Sequence, residues 1–385
     1  MDETFDSRYP SIECLRRQAC RRLPRFVFEY LEGGCFSEVN LRRNTEEIRQ
    51  VQLEPYYLRD YPRSDQKTQL FGQTYDAPFG ISPIGLQGLI WPGATEILAQ
   101  AAHDQNIPFI LSTVATASIE AVAEITEGKA WFQLYHPRED SLRDKLLDRA
   151  SDAGFPVLVL LADTPTFAYR PKEIKNGLSI PPRMSLRNVL QMTTRPTWSL
   201  GQLLAGVPEF KTMQPYMPKG LSMKHLGQFM DKTFSGRLNE RKIAAIRDRW
   251  KGKLVVKGIV NGEDLEKAIE LGADGIIVSN HGGRQLDSGQ SSIKALENLA
   301  ADYGDRTTLM IDSGLREGQD VASALACGAK FTFLGRSFMY GVGALGKKGG
   351  CHTITMLKRQ LRQVMEQVAC ERVGDFPKHL LCHRD

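Results

Sequence analysis

Apolar and β-branched residues gather eight times along the chain into short runs that stop at a polar residue or a glycine. The runs are FGISPIG (79–85), FILSTVA (109–115), AWFQLY (130–135), VLVLLAD (157–163), KLVVKGI (253–259), GIIVSN (275–280), TLMIDSG (308–314) and FTFLGR (331–336). Between most of them apolar positions return at helical spacing, which predicts strands alternating with helices. Eight such units in about 260 residues predict an α/β fold, a (β/α)8 TIM barrel, over a doubly wound open sheet made of the same units.

The whole chain, 1–385, reads as one domain. Residues 1–70 form an N-terminal helical cap, in which CLRRQACRRLPRFVFEYLEGG is amphipathic and closed by glycines. The barrel spans 71–345, and 346–385 carries a C-terminal helix whose Ile354, Leu357, Leu361, Val364 and Val368 share one face. One connection breaks the rhythm, because the chain runs from Thr164 to Gly252 between strands four and five, with 171–252 as a lid or insertion. Within it, 177–226 holds Arg183, Arg187, Arg195, Lys211, Lys219 and Lys224 against the single acid Glu209, together with Met184, Met192, Met213, Met217, Met223 and Trp198. A basic and apolar segment of this kind suits an interfacial membrane contact, and equally a lid or an oligomer contact.

Composition narrows the class. Hydrophobic residues make up 42% and the net charge is +5 over 385 residues, a globular balance that points to no nucleic-acid partner. The seven cysteines are scattered without a CxxC pair, against a disulfide framework or a zinc site. The acidic start MDETFDSRYP is unlike a secretory signal, and no apolar run is long enough to span a bilayer. The expected location is cytoplasmic, with peripheral contact on the inner membrane face left open by the basic insertion.

In a barrel of this type the active site lies at the C-terminal ends of the strands. There the sequence places Ser112, Gln133, Tyr135, Asp163, Lys257, Ser279, His281, Asp312 and Arg336. His281 with Asp163 makes a candidate general base, since a carboxylate on one imidazole nitrogen fixes the tautomer and leaves the other to take a proton. Arg170 and Arg284 could each present a planar fork to a carboxylate substrate. Gly314 and Arg316 after strand seven, with Gly335 and Arg336 after strand eight, predict a phosphate site and thus a phosphorylated cofactor or substrate. Lys257, alone at the end of an apolar strand, must meet an anion, face a cofactor atom that gains negative charge, or form a Schiff base.

These residues sit in motifs that resemble the FMN-dependent 2-hydroxy acid oxidase and dehydrogenase family: LPRFVFEYLEGG, PIGLQG, LSTVATASIE, WFQLY, DTP, LVVKGI, SNHGGRQLD, IDSGLREGQD and GRSFMYG. The resemblance runs through nearly the whole chain, and SNHGGRQLD is its most specific part. It implies bound FMN and oxidation of an L-2-hydroxy acid to the 2-keto acid. His281 would be the base and Asp163 its partner. Arg170, Arg284 and Tyr30 would hold the substrate carboxylate, Tyr135 the hydroxyl, and Val114 would line the pocket. Lys257 would stabilise charge on the flavin, Ser112, Gln133 and Ser279 would border it, and Gly314, Arg316, Gly335 and Arg336 would hold its phosphate with Asp312 shaping the turn. The resemblance also implies a homo-oligomer, a tetramer in the family. EYLEGG looks most like the mandelate dehydrogenase members, and PIGLQG, LSTV and TTRPTW like the membrane-docking lactate dehydrogenases. That branch passes electrons to a quinone or other carrier; an oxidase forming hydrogen peroxide and a non-catalytic flavin-binding protein are the competing readings.

Departures from the family pattern fall around the flavin and the substrate. Leu161 and Ile84 stand where threonines are usual, Ala168 and Pro171 flank Arg170, and Leu31 replaces a second tyrosine. They predict altered flavin contacts and a roomier or more apolar pocket.

Overall fold

The computed structural model describes residues 5–178, 184–218, 229, 232–234 and 236–381. Eight parallel strands form one sheet: β1 (Phe79–Ile81), β2 (Ile110–Ser112), β3 (Trp131–Leu134), β4 (Val157–Leu161), β5 (Lys253–Ile259), β6 (Gly275–Val278), β7 (Thr308–Ile311) and β8 (Phe331–Leu334). They are hydrogen-bonded in chain order from β2 to β8, and β8 pairs with β1. The ring closes between β1 and β2 through a single bridge, Ile81 opposite Phe109, where the Ile81 amide donates to Pro108 O at 2.9 Å. A helix follows each strand on the outside, as the eightfold repeat predicts. Helices after β2, β5 and β6 begin at Ser118, Asn261 and Ser291, whose side chains accept the first free amides.

The strand period of two sorts the side chains into two cores. One set, including Leu111, Phe132, Leu158, Leu160, Val256, Ile276 and Val278, points outward against the helices. The alternate set, Ile110, Trp131, Val157, Val159, Val255, Ile277, Met310, Phe331 and Phe333, fills the barrel interior. Leu70, Phe71 and Tyr75 plug it from below, carried by the hairpin of Thr68–Leu70 and Gln73–Tyr75. Two residues beyond these interior positions, on the same face, come Ser112, Gln133, Leu161, Lys257, Ser279, Asp312 and Gly335. A solid apolar floor therefore forces the polar strand ends to converge above it.

Before the barrel lie α1 (Ile12–Arg22), α2 (Arg25–Glu32) and α3 (Val39–Ile48). The amphipathic stretch expected across residues 14–34 divides at Pro24, whose ring cannot continue α1 but suits the start of α2. After the barrel, Gly349–Val368 is the C-terminal helix, with Ile354, Leu357, Leu361 and Val368 buried.

The described part of the insertion carries helices Leu186–Thr193 and Pro196–Ala205, both amphipathic in an inverted sense. Polar or ring N–H groups face the protein, where Asn188 donates to Asn176 O at 2.9 Å, Trp198 to Ile90 O at 3.1 Å and Gln202 to Gly88 O at 2.6 Å. Leucines face outward: Leu186 and Leu190 on the first helix, then Leu200, Leu203, Leu204 and Val207 at 60–88% exposure. The apolar surface expected of this segment is supplied by leucines with Met184, whereas Met213 and Trp198 are buried. Arg183, Lys219, Met223 and Lys224 lie outside the described residues.

His136, just past β3, packs buried at the point where the insertion returns to the barrel. Burial, then the charge of Lys242, pushes its pKa from 6.5 down to about 4, outweighing backbone hydrogen bonding at Gly236 and Arg237. A native imidazole that stays neutral while its unfolded counterpart protonates makes stability fall as pH drops from 6.5 toward about 4. Urea unfolding midpoints measured across that window are expected to depend less on pH in His136→Phe than in the wild type; parallel curves would refute this.

Candidate active site

The register places the rim groups in hydrogen-bonding contact. Ser112 Oγ donates to Gln133 Oε1 at 2.8 Å, from neighbouring strands whose Ser112 and Gln133 are register partners. Lys257 Nζ sits 2.7 Å from Ser279 Oγ and 2.9 Å from Asp312 Oδ2, buried in the barrel mouth. Lys257 therefore meets an anion at the barrel mouth, the Asp312 carboxylate, as one of the sequence readings required. Ser313, overlooked in the sequence despite its place in IDSG, accepts the Gly282 amide at 2.9 Å and donates to Asp312 Oδ1 at 3.0 Å.

His281 Nδ1 lies 2.9 Å from Asp163 Oδ1 across the rim. The backbone that aims it is unusual: His281, Gly282 and Gly283 have φ of 59°, 67° and 72°, three consecutive left-handed residues. Glycine adopts that turn freely, whereas histidine does so at a cost, a kind of strain that collects at functional sites. Asp163 fits because β5 bulges at Gly258, where a Cβ would come within 2.6 Å of Asp163. Burial works to raise the Asp163 pKa, but the charge and hydrogen bond of His281, with Lys257, hold it below 3.8. The carboxylate is therefore ionised at neutral pH, and its Oδ2 is buried without a partner among the described residues.

Arg170 and Arg284 converge, as the sequence expected, but not alone. Glu173 bonds to Arg284 Nη2 and lies 3.4 Å from Arg170 Nη1, so one acid serves both cations. It was not singled out in the sequence, although its i,i+3 spacing from Arg170 was a usable signal. Arg170 also donates to Arg284 O at 3.2 Å, and burial, then the Arg284 charge, push its pKa down. The Tyr30 ring lies 5.2 Å from the Arg284 guanidinium, and burial raises the pKa of both Tyr30 and Tyr135. Tyr135 packs at 5.9 Å on Phe234 of the insertion, while Val114 closes against Gly85.

At the other end of the rim three arginines face one another. Arg336 donates to Leu31 O, Gly282 O and Gly33 O at 2.9–3.1 Å, and Arg284 donates to Tyr30 O and Gly33 O at 2.7–3.0 Å. The carbonyl end of α2 is thus clamped by two guanidinium groups, the favourable sense for a helix C-terminus. Arg336 touches no carboxylate in these bonds, and burial, then the charges of Arg316 and Arg284, push it down to about 9. An anion bound there would relieve that repulsion. Arg316 is anchored by its own carbonyl, which accepts from Ser337 Oγ at 2.8 Å, and Gly314 O accepts from Thr45 at 3.3 Å.

Residues 19–383 match the family model described as FMN-dependent dehydrogenase. The chain belongs to that family. It is 34% identical over 371 residues to an L-lactate dehydrogenase of Caulobacter sp. (strain K31), covering 96% of this chain and 97% of the relative. It is 35% identical over 360 residues to the (S)-mandelate dehydrogenase of Pseudomonas putida, covering 94% and 90%. Among solved structures, that of the monotopic membrane protein (S)-mandelate dehydrogenase superposes with a TM-score of 0.91 at 34% identity, covering 96% of this chain and 98% of that one. A mandelate oxidase structure superposes at 0.80 with 28% identity, over 96% and 98%.

The family's FMN suits the residues present. Gln133 Nε2 is a buried donor with no partner among the described residues, where a flavin carbonyl could accept, and the Arg316 and Arg336 pair calls for an anion such as the phosphate. Leu161 is buried on the same interior face as Lys257, its register partner, and Ile84 lies beside Gly335, so two apolar groups border the mouth. Substituting Gln133→Met keeps the volume and removes that donor. FMN affinity, measured by titration of the apoprotein, is expected to fall about fivefold to tenfold, the worth of roughly 1 kcal/mol for one hydrogen bond. An unchanged affinity would separate Gln133 from the cofactor.

Proposed function

We propose that the protein oxidises a small L-2-hydroxy acid, of the lactate or mandelate type, to the 2-keto acid. The observation that carries this reading is one rim holding both the His281–Asp163 pair at 2.9 Å and the converging Arg170 and Arg284. Asp163 fixes the Nδ1 side of His281, leaving Nε2 to take a proton from the substrate hydroxyl or C2. Arg170 and Arg284 orient the substrate carboxylate, which competes with Glu173 for the same donors, and Tyr30 and Tyr135 border it. Lys257 holds positive charge at the barrel mouth beside Ser112, Gln133 and Ser279, while Gly314, Arg316, Gly335 and Arg336 with Asp312 form the phosphate end. FMN, when bound, accepts the two electrons released.

The inverted helices of the insertion support peripheral docking on a membrane and delivery of the electrons to a quinone held there. The outward face of Leu200, Leu203, Leu204 and Val207 has the chemistry of an interfacial anchor, and Arg187 is exposed on the preceding helix. No helix among the described residues is long and apolar enough to cross a bilayer.

Anaerobic addition of glycolate, L-lactate, longer aliphatic acids and (S)-mandelate to the FMN-loaded protein is expected to bleach the flavin spectrum with at least one of them. A protein that none of them bleaches is not this enzyme. Replacing the base, His281→Gln, should slow bleaching by about 10²–10⁴-fold or more while FMN remains bound; retention of the wild-type rate would sink the assignment of the base. The double variant L203E/L204E should lose co-sedimentation with phospholipid vesicles yet bleach normally with substrate. Undiminished sedimentation would move the membrane contact elsewhere.

A further inference from the structure

The outward leucines account for one face of the helix Pro196–Ala205, but its inward face makes bonds that an anchor does not require. Trp198 Nε1 lies 3.2 Å from Leu89 O and 3.1 Å from Ile90 O, while Gln202 Nε2 lies 2.6 Å from Gly88 O and 3.2 Å from Leu89 O. All four bonds end on the carbonyls of three consecutive residues, and Gly201 lies against Pro92 just beyond them. Those carbonyls belong to the short helix Gln87–Ile90, which continues the segment leaving β1.

That segment also borders the cofactor rim at several points. Ser82 Oγ is 3.4 Å from Asp312 Oδ2, Ile84 lies beside Gly335, Gly85 lies against Val114, and the Leu86 amide donates to Val114 O at 3.0 Å. Residues 82–90 thus run without interruption from the proposed flavin mouth to the underside of the bilayer-facing helix. Gly88 is pinned a second time, its amide donating to Thr116 Oγ1 at 3.0 Å. Trp198 itself is buried and packs edge-on against Phe26 of the cap at 6.0 Å. The register between the helix and this segment is therefore set by directed hydrogen bonds, while apolar packing supports it.

We propose that Trp198 and Gln202 are positioning residues for reoxidation: they fix the membrane-docked helix against residues 88–90, and so fix the flavin mouth relative to a quinone in the bilayer. In that half-reaction reduced FMN gives up two electrons and two protons, and the quinone takes up both to become the quinol. The proposal rests on the membrane-dehydrogenase reading above. Misplacement of reacting partners by about 1 Å can cost about 10²-fold in rate, so a register set by four bonds matters more to quinone access than to the buried substrate chemistry.

The test uses full-length, FMN-loaded protein on phosphatidylcholine and phosphatidylglycerol vesicles containing a long-chain benzoquinone. Trp198→Phe keeps the aromatic packing and removes the N–H. Gln202→Glu keeps the length and turns a donor into an acceptor that faces carbonyls. In each variant, anaerobic reduction by the 2-hydroxy acid and reoxidation by water-soluble ferricyanide should match the wild type, and vesicle co-sedimentation should persist. Reoxidation by the vesicle quinone should fall about tenfold or more. Hydrogen exchange across residues 84–90, slowed by vesicles in the wild type, should no longer respond to them.

Quinone reoxidation at the wild-type rate in both variants would overturn the proposal, as would equal losses with ferricyanide and quinone, the mark of a general structural defect. If Trp198→Phe does not fold, the outcome for Gln202→Glu decides. A wild-type protein that neither binds vesicles nor reduces the quinone would overturn the membrane reading and this inference with it, whereas a wild type that does both beside unaffected variants would overturn this inference alone.

Discussion

The barrel interior is the constraint on which the rest depends. Trp131, Phe331 and Phe333, with Met310 and the aliphatic residues of neighbouring strands, fill the lower half so completely that the strands can meet only in one stagger. Because side chains alternate with a period of two, each interior residue dictates which group stands one layer above it. Lys257 is above Val255, Ser279 above Ile277, Asp312 above Met310 and Gln133 above Trp131. A slip of one residue in any strand would send its polar group outward among the helices and bring an apolar one into the mouth. Packing of the floor and chemistry of the rim are one property of the sheet.

Charge organises what stands on that floor. Arg170, Arg284, Arg316 and Arg336 gather at the rim, with Glu173 as the acid serving the first two. Clustered guanidinium groups are unfavourable without anions, and the protein answers locally with backbone carbonyls from the end of α2. That same answer makes the N-terminal cap part of the site, since Gly33 O is shared between Arg284 and Arg336. The proposed substrate and phosphate ends are thereby tied to one turn of chain. The proposed substrate carboxylate and cofactor phosphate would complete the charge balance that the protein leaves open.

The insertion shows a different balance. An amphipathic helix in a water-soluble protein ordinarily turns its apolar stripe inward, and here Leu200, Leu203, Leu204 and Val207 turn out while Trp198 and Gln202 hold the inner side by hydrogen bonds. That arrangement leaves an apolar outer face, which the bilayer contact proposed above would cover.

Much of this was legible in the chain itself. Eight apolar runs ending in polar residues gave the number of barrel strands and which residues stand at their ends, because strand periodicity and termination are local properties. The motifs around His281, Asp312 and Arg336 pointed to the family that the match over residues 19–383 shows. The contact of Glu173 with Arg284, that of Ser313 with the His281 turn and the fit of Asp163 over the bulge at Gly258 were not legible, because each joins segments far apart in sequence. The orientation of the insertion was hidden for the same reason: a stripe of leucines reads alike whether it faces a core or a membrane, and only the bonds from Trp198 and Gln202 to residues 88–90 decide which side is in. Sequence determined which groups the strands deliver to the rim; tertiary structure decided which of them touch, because contact is set by barrel closure and long-range packing.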